Sequence, residues 1–592
     1  MAARKDITFR EAIGRLYDTK EAVALANPYA VAIVSYATSF LYHRGVLCYI
    51  YANEIRVLNV HRADKVEQVL NVRKVLRRII PTFRHDEGQR AVVQLSLLHY
   101  NAGVVAFLVE IGPDSDAWLI VLDVTPHGYK QPKGYKPGRV RFKTQLQSTR
   151  RLFVRHDGKY LFYGSYATIG TYDEPQWTVQ RVDLTKENDE LTTRTVFLEN
   201  FAGSDVGQSA CFEMFQDHLY AVSNVIDSDE EELNWTSYYE WVCIPPDERK
   251  DRPRVRRIWR REHLEGPIND TWTEISLRED EATGQLMIFE CRREWRKGGS
   301  ENMRTYYTQP LPSPSETLSD VATGQWETGV IQPAHSTHSD AQPSETSSGI
   351  PIITGGAGPS NLILSGNRRP TRRRTLNEMM TGNQSLSDQR PNRYVHSEYR
   401  EGDPSRRHDF ILARTKFRTY NPSASAFLDL VNDPEPNPRG GLPQDRLRLR
   451  ICSRKRKSPF DEDGCLVKRR LSPSGEVVRW SDERFESRGI KLWPSDDTPP
   501  EVADLLCPAK RTAGIHAVAD ERSVVYSVDV ADDDEHRALV LIGFDPRIRL
   551  PSMQRLRGLA PDNMTGPVAA DDQRPVGIDL PRSSDVKVCR CY

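Results

Sequence analysis

Short apolar runs, rich in β-branched and aromatic residues, recur along the chain between turn residues and polar loops. Such runs fit pleated strands packed on one or both faces. One template repeats: a turn residue, an apolar run, a polar loop and a second apolar run. It reads Gly45-VLCYIY/IRVLNV, Gly103-VVAFLVE/WLIVLDV, Gly158-KYLFYGS/WTVQRVDL, His218-LYAVSN/SYYEWVCI, Gly284-QLMIFEC/TYYTQPL, Asp409-FILARTKFRTY/SAFLDLV and Arg522-SVVYSVD/RALVLIGFD. A further short run precedes several units, as in RLFVRHDG, CFEMFQD and ISLRED. Asp157-Gly158 is a hairpin signal, because both positions tolerate positive φ. Each unit therefore predicts three or more antiparallel strands. The first five anchors lie 55 to 66 residues apart. A propeller blade usually repeats at about 40–50 residues, and the excess sits in loops such as 225–236. The pattern predicts an all-β chain folded as a β-propeller of about seven blades, with six and eight as neighbouring counts. A pair of sandwiches or two smaller barrels is the competing architecture.

The N-terminus follows another period. Phe9, Ala12, Ile13, Leu16 and Val23 recur at helical spacing, Thr8 with Glu11 three residues on is the expected N-cap of capping-box type, and Asn27-Pro28 ends the helix. Residues 1–26 are thus an N-terminal helical segment, whose apolar stripe is expected to cover the propeller edge. Residues 27–310 and 401–550 are expected to form the two parts of the propeller. Between them, 311–400 hold eight Pro and only three aromatics. So little apolar surface does not offset the entropy of ordering, and a disordered insertion is expected. An irregular stretch is expected over 432–515, broken by the strand-like Leu447–Cys452, with a basic loop at 453–515. A flexible tail is expected over 551–592. The uncharged span 22–42 contains Asn27, Pro28 and small polar residues. It reads as a helix end followed by a buried strand, and no membrane segment is expected.

Charge narrows the classes. Lys plus Arg and Asp plus Glu both number 82, so the net charge is zero. That excludes an overall basic nucleic-acid binder and an acidic solvating chain, and a nucleic-acid partner is not expected. The nine Cys form no C-x-x-C pair, which argues against zinc and fits a reducing compartment. No apolar segment of secretory type follows the first charged residues.

The sharpest charge motif is Arg454-Lys455-Arg456-Lys457, then ten residues, then Lys468-Arg469-Arg470. Two basic clusters at this spacing suit a nuclear import receptor, and residence in nucleus and cytoplasm is expected. Ser458-Pro459 and Ser472-Pro473 flank the clusters, where a phosphate would add about −2 charge and weaken them. Arginines 368, 369, 372, 373 and 374 form a second patch, read as keeping the insertion extended. Catalytic patterns fail. In Gly203–Gly207 the serine is misplaced for a nucleophile elbow, no phosphate loop occurs, and Gly355–Gly358 opens no helix pattern. Asp532 and Asp534 are a carboxylate pair of the kind a propeller hydrolase needs, but they sit on a charged loop. No enzyme activity, cofactor or metal site is expected.

Aromatic and Arg residues crowd the fourth and fifth units. Trp, Tyr and Arg are favoured interface anchors, and about half of these aromatics are expected in the core. The residues expected to contact a protein partner are Trp235, Tyr238, Trp272, Trp295, Arg296 and Arg304. Several long stretches, GPINDTWTEISL (266–277), RREWRKGGSENMRTYYTQPLP (292–312), LARTKFRTYNPSASAFLDLVND (412–433), RLRLRICSRKRKSPFDEDG (446–464), DERSVVYSV (520–528) and NPYAVAIVSYATSFLYHRGVLCYIY (27–51), resemble filamentous-fungal F-box proteins. The resemblance implies a substrate receptor of an SCF ubiquitin ligase, with a ubiquitination substrate as partner and the ligase adaptor bound through an F-box. Residues 1–26 hold no Leu-Pro start and are too few for that box. The adaptor is therefore expected as a partner only where an F-box lies upstream. The alternative is a nuclear scaffold or regulator with no ubiquitin role.

Overall fold

The computed structural model describes residues 8–61, 66–80, 93–112, 116–125, 140–168, 175–186, 194–198, 201–224, 237–246, 254–261, 268–269, 272–280, 283–295, 302–314, 394–397, 415–435, 440–456, 485–496, 498–531, 533–548, 554–555 and 587–591. Its strands form seven sheets, antiparallel throughout except where a short strand near the C-terminus joins one of them in parallel. Blade 1 is β2 (Ser39–His43), β3 (Val46–Tyr51), β4 (Glu54–Asn59) and β5 (Val66–Asn71). Blade 2 is β6 (Val93–Asn101), β7 (Val104–Ile111), β8 (Asp116–Asp123) and β9 (Val140–Gln145). Blade 3 is β10 (Phe153–His156), β11 (Tyr160–Thr168), β12 (Pro175–Asp183) and β13 (Arg194–Leu198). Blade 4 is β14 (Ala210–Phe215), β15 (His218–Ser223), β16 (Ser237–Ile244) and β17 (Arg254–Arg261). Blade 5 is β18 (Glu274–Glu279), β19 (Leu286–Trp295), β20 (Asn302–Pro310) and β21 (Tyr394–Ser397). Blade 6 is β22 (Thr415–Asn421), β23 (Ala426–Asn432), β24 (Leu447–Arg456) and β25 (Phe485–Trp493). Blade 7 is β26 (His516–Ala519), β27 (Ser523–Val530) and β28 (Asp533–Gly543), completed by the N-terminal β1 (Ala30–Ala37), which pairs with β28 from Ala30↔Gly543 to Ala37↔Arg537. The first strand thus completes the last sheet and closes the ring.

The apolar runs are nearly continuous because a blade is buried on both faces. In β7, Val104 and Ala106 pack toward blade 3, while Val105, Phe107 and Val109 pack toward blade 1. Each neighbouring pair of blades shares one apolar cluster, and blade 7 meets blade 1 through Ala37, Phe40, Tyr42, Leu539 and Leu541. The cluster between blades 5 and 6 is small: Phe289, Tyr306, Tyr420, Phe427 and Cys452.

Tight turns set the strand order. Arg44-Gly45 and Ala102-Gly103 both take positive φ (46° and 80°, 48° and 82°), as two-residue hairpins require. Gln216-Asp217 does the same without glycine, at 49° and 66°. At Asp157-Gly158 only Gly158 is positive. Asp157 instead accepts backbone N–H bonds from Lys159 and Tyr160 at 2.8 and 2.7 Å.

Four expectations are revised. In blade 6 the repeat was placed one strand early: Thr415–Asn421 is the inner strand, and the second strand is Ala426–Asn432. Its turn uses Ser425 at φ 49°, so no glycine marks it. The stretch 453–515, expected to be irregular, contains the end of β24, all of β25 and a helix, α3 (Pro500–Leu506). The polar β25 shows little apolar alternation, because as an outer strand it buries less. The tail supplies short strands, Gln554–Arg555 beside β1 and Lys587–Cys591 parallel to β5. Finally, the helix α1 (Phe9–Ala24) carries the expected capping box, but only its last turns cover the propeller. Ala22 and Val23 enter the cluster between blades 6 and 7, Ser453 Oγ donates to the Ala24 carbonyl at 2.7 Å, and Arg488 grips Glu21 at 2.9 and 3.0 Å. Phe9 and Ile13 are 76% and 67% exposed, and Leu16 and Tyr17 are also exposed. The anchoring contacts begin at Arg15, on Asp545, so among the described residues the part of the helix before it stands clear. The second helix, α2 (Val72–Ile79), links blades 1 and 2. No helix among the described residues is long and apolar enough to cross a membrane.

The expected insertion also has different bounds. Leu311 is buried in the cluster between blades 4 and 5, Tyr220 donates its hydroxyl to the Pro312 carbonyl at 2.8 Å, and Tyr394–Ser397 is the outer strand of blade 5. Residues 315–393 lie outside the described residues. Their flanks are close, since Thr308 pairs with Tyr394. Replacing 315–393 by a short Gly-Ser linker should leave the unfolding midpoint within a few degrees, because closure entropy changes slowly with loop length. Deleting 311–400 should cost at least the roughly 2–5 kcal/mol of one buried leucine. Differential scanning fluorimetry on both deletions checks this; equal midpoints, or a large loss for the shorter one, would refute it.

Candidate interaction surface

A four-strand meander places the first and third turns of every blade at one end of the ring. The second turns and the links between blades lie at the other. The second-turn end of blades 4 and 5 collects most of the residues expected to contact a partner. Tyr238 opens β16 and is half-buried. Trp295 ends β19, pairs with Asn302 and is half-buried. Trp272 lies in the link between the two blades. That link is laid along β19: the Asn269 N–H donates to the Arg293 carbonyl at 2.7 Å, Trp272 N–H donates to the Asn269 carbonyl at 3.1 Å, and Ile268 bridges Glu294. The Trp272 ring consequently lies within cation–π distance of two guanidiniums. Arg418 of blade 6 sits 3.9 Å from its centroid and Arg293 5.8 Å. Arg418 is steered by Glu274, to which its Nε donates. Trp235 and Arg296 lie outside the described residues.

Arg304 does not belong to this surface. It is 3% exposed and donates from both terminal nitrogens to Asp429 of blade 6 at 2.7 and 2.8 Å, while Arg450 donates to the same carboxylate at 2.8 Å. Burial would raise the Asp429 carboxyl, but the two guanidiniums hold it below its ordinary value. This ion triad supplements the small apolar cluster between blades 5 and 6. Tyr239, Trp241, Tyr306 and Tyr307 are likewise core, as expected for about half the aromatics.

A second buried network lies between blades 4 and 5. Glu290 is fully buried. It accepts from Arg260 at 2.8 and 3.0 Å, Arg292 at 2.6 Å, Tyr239 at 2.5 Å and Asn224 at 3.3 Å. Burial pushes this carboxyl up, yet Arg260 and Arg292 outweigh it and hold it at about 2. The Arg292 guanidinium also lies 3.7 Å from the Tyr307 centroid. Blade 5 is therefore clamped by buried charge on both faces, and the clamps underlie the aromatic–Arg surface. Sequence reading had the residues but not their division, because interior and surface Arg alternate along one strand: Arg292 is buried and Arg293 half-buried.

The first-turn end is built differently. Arg44 of blade 1 pairs with Glu279 of blade 5 at 2.7 Å, both side chains exposed. These blades are not neighbours, so the pair spans the mouth of the central opening. Nearby pairs are Lys159–Asp217 at 2.6 Å and Arg155–Glu213 at 3.5 Å. Each pair joins two different blades, and no local motif announces the set. From the proposed import signal, Arg454 is half-buried and Lys455 exposed at the end of β24, opposite Ser487 and Glu486, with Arg456 opposite Phe485. Lys457, Lys468, Arg469 and Arg470 lie outside the described residues, as do Arg368–Arg374 and Asp532.

One grouping mimics catalytic chemistry. His61 Nε2 lies 3.2 Å from Ser523 Oγ and 3.4 Å from Asp520 Oδ2. A triad needs the carboxylate on the opposite ring nitrogen; here serine, carboxylate and Tyr42 share one. Ser523 is 1% exposed. The group ties blade 7 to blade 1. Among the described residues no three His, Cys, Asp or Glu side chains are placed to hold a metal ion.

No family model matches the chain, and no curated protein matches it. Among solved structures, the WD40 domain of SCAP from fission yeast is similar at 9% identity and a TM-score of 0.32, over 88% of this chain and 95% of that one. The extracellular domains 1–2 of Drosophila Semaphorin 1a are similar at 9% identity and a TM-score of 0.26, over 87% and 88%. The seven-bladed assignment stands on the sheets themselves.

Proposed function

We propose that this chain is a non-enzymatic protein-interaction module whose partner docks on the second-turn end of blades 4 and 5. The observation that carries the reading is the half-buried Trp272 in contact with Arg418 and Arg293, flanked at the same end by Tyr238 and Trp295. Aromatic and Arg side chains on rigid strands present large contact area at little entropic cost. In the finer reading, supported by the F-box-like stretches, the partner is a ubiquitination substrate. An F-box then supplies the contact with the SCF adaptor, and the two basic clusters carry the protein into the nucleus.

The test is photo-crosslinking in cells, with the reactive residue at Trp295 or, as a control, at Lys159 on the opposite end. The expected result is a discrete partner from position 295 alone, lost in Trp272→Ala with the unfolding midpoint unchanged. Equal capture from both ends, or capture that survives Trp272→Ala, overturns the site. The ligase reading expects that partner to gain ubiquitin only when the chain bears a relative's F-box, in a reaction with purified adaptor and cullin. Without any gain, the scaffold reading replaces it. Alanine at the seven basic residues 454–457 and 468–470 should abolish nuclear signal of a tagged chain.

A further inference from the structure

We infer that the outer edge of blade 4, β17, is a docking edge for an extended acidic peptide of a partner protein, which adds to the sheet as a fifth strand. The sheet order ends on β17, which pairs with β16 from Cys243↔Arg254 to Ser237↔Arg261 and has no strand beyond it among the described residues. An outermost strand offers a row of backbone donors and acceptors to any extended chain, and strand addition uses them. This molecule already does so twice. Lys587–Cys591 adds to the outer strand of blade 1, and Gln554–Arg555 adds to that of blade 7. The outer edges of its blades are therefore shaped to take another strand.

The sequence of β17 states the chemistry of the incoming strand. It reads RVRRIWRR, five Arg in eight residues with no acidic residue. The outer strands β9, β13 and β25, with VRFKTQ, RTVFL and FESRGIKLW, carry no comparable run. Val255 packs with the cluster shared with blade 3, and Ile258 with the cluster shared with blade 5. Arg260 is committed to Glu290. A strand this basic matches an added strand that carries acidic residues at alternate positions. A strongly basic edge also discourages pairing between copies of the chain, and that role alone predicts no ligand. The proposal goes beyond the reading at Trp272 and stands apart from it.

The experiment measures fluorescence anisotropy of a labelled, end-capped octapeptide of alternating Glu and Val on the full chain. Two further peptides carry N-methyl groups on every second residue, one in each register. They keep the charge but remove one row of backbone donors. The expected result is saturable binding of the parent peptide, loss of about tenfold or more in affinity for one methylated register, and a similar loss for the Arg254→Glu/Arg256→Glu/Arg257→Glu chain. Trp272→Ala should bind like the parent chain, which separates this site from the previous one. Equal binding of all three peptides would reduce the edge to a charge attraction and overturn the proposal, as would no binding at millimolar peptide. If the triple variant fails to fold by circular dichroism, the two methylated peptides decide alone.

Discussion

Glu290→Gln is expected to destabilise the protein by about 3–5 kcal/mol, the usual cost of breaking a buried ion pair from one side. The side chain is fully buried, and every group that touches its two oxygens is a donor: Arg260 and Asn224 on Oε1, Arg292 and Tyr239 on Oε2. Glutamine keeps the shape but turns one acceptor into an NH2 group. In either orientation that group faces donors, and both guanidiniums lose their counter-charge. Tyr239→Phe removes one donor to Glu290 and one acceptor for Arg292 but leaves every charge in place, so it should cost roughly 1–2 kcal/mol. Equilibrium urea unfolding, followed by tryptophan fluorescence, measures both. A cost below about 1 kcal/mol for Glu290→Gln would mean that water reaches the network and that it does not clamp the two blades.

Burying charge at both faces of blade 5 needs a reason other than raw stability, since well-packed apolar groups often do as well. Apolar packing tolerates sliding, whereas the Arg304–Asp429 and Arg260–Glu290 pairs are satisfied at one register only. Blade 5 is also the blade whose third and fourth strands are separated by residues 311–393. Its outer strand is four residues long and supplies little pairing of its own. Directional buried contacts fix such a blade against its neighbours and hold Trp272 and Trp295 in place.

The ring was legible in the sequence wherever a two-residue turn joined two apolar runs. Gly45, Gly103, Gly158 and Gly284 each mark the start of a second strand, and His218 and Arg522 do so by position. Burial on both faces makes those strands uniformly apolar, so they stand out from any loop. The outer strands were less visible. Phe485–Trp493 and Tyr394–Ser397 bury less and sit beside long polar stretches, so their signal merges with them. The candidate surface was legible in composition but not in geometry. Alternation sends Arg292 inward and leaves Arg293 half-buried, and only the position of β22 shows that Arg418 comes to Trp272 from the next blade. The N-terminal helix was legible to its cap, yet its period did not say which turns touch the propeller. That depends on Arg15, Glu21 and Ala24 meeting Asp545, Arg488 and Ser453, residues more than four hundred positions away.

His156→Phe is expected to blunt the loss of stability in acid. His156 ends the inner strand of blade 3 and is fully buried; among the described residues neither ring nitrogen has a hydrogen-bond partner. Its ring meets His99 of blade 2 edge to face at 4.5 Å, and its backbone N–H donates to His99 Nδ1 at 3.4 Å. Burial pushes the imidazole down to about 4, with the Arg155 charge acting in the same direction and the bond to His99 opposing. Burial lowers His99 too, aided by His156, Arg155 and His43. A depressed histidine pKa means that the unfolded chain takes up the proton first. Stability is thus full above pH 6.5, falls as the pH drops toward 4, and stops falling below 4, where the folded form is protonated as well. The whole span is worth about 3 kcal/mol for this one residue. Phenylalanine has the same planar shape and no nitrogen to leave unpaired, so at pH 7 the variant should match or exceed the parent. Urea midpoints at pH 7, 5.5 and 4.5 for both chains give the comparison. The parent should lose about 2–3 kcal/mol more than the variant over that range, the remaining shared loss coming from His99 and the carboxylates. Parallel curves would show that water or an anion already serves the His156 ring, and that blades 2 and 3 are not sealed at this position.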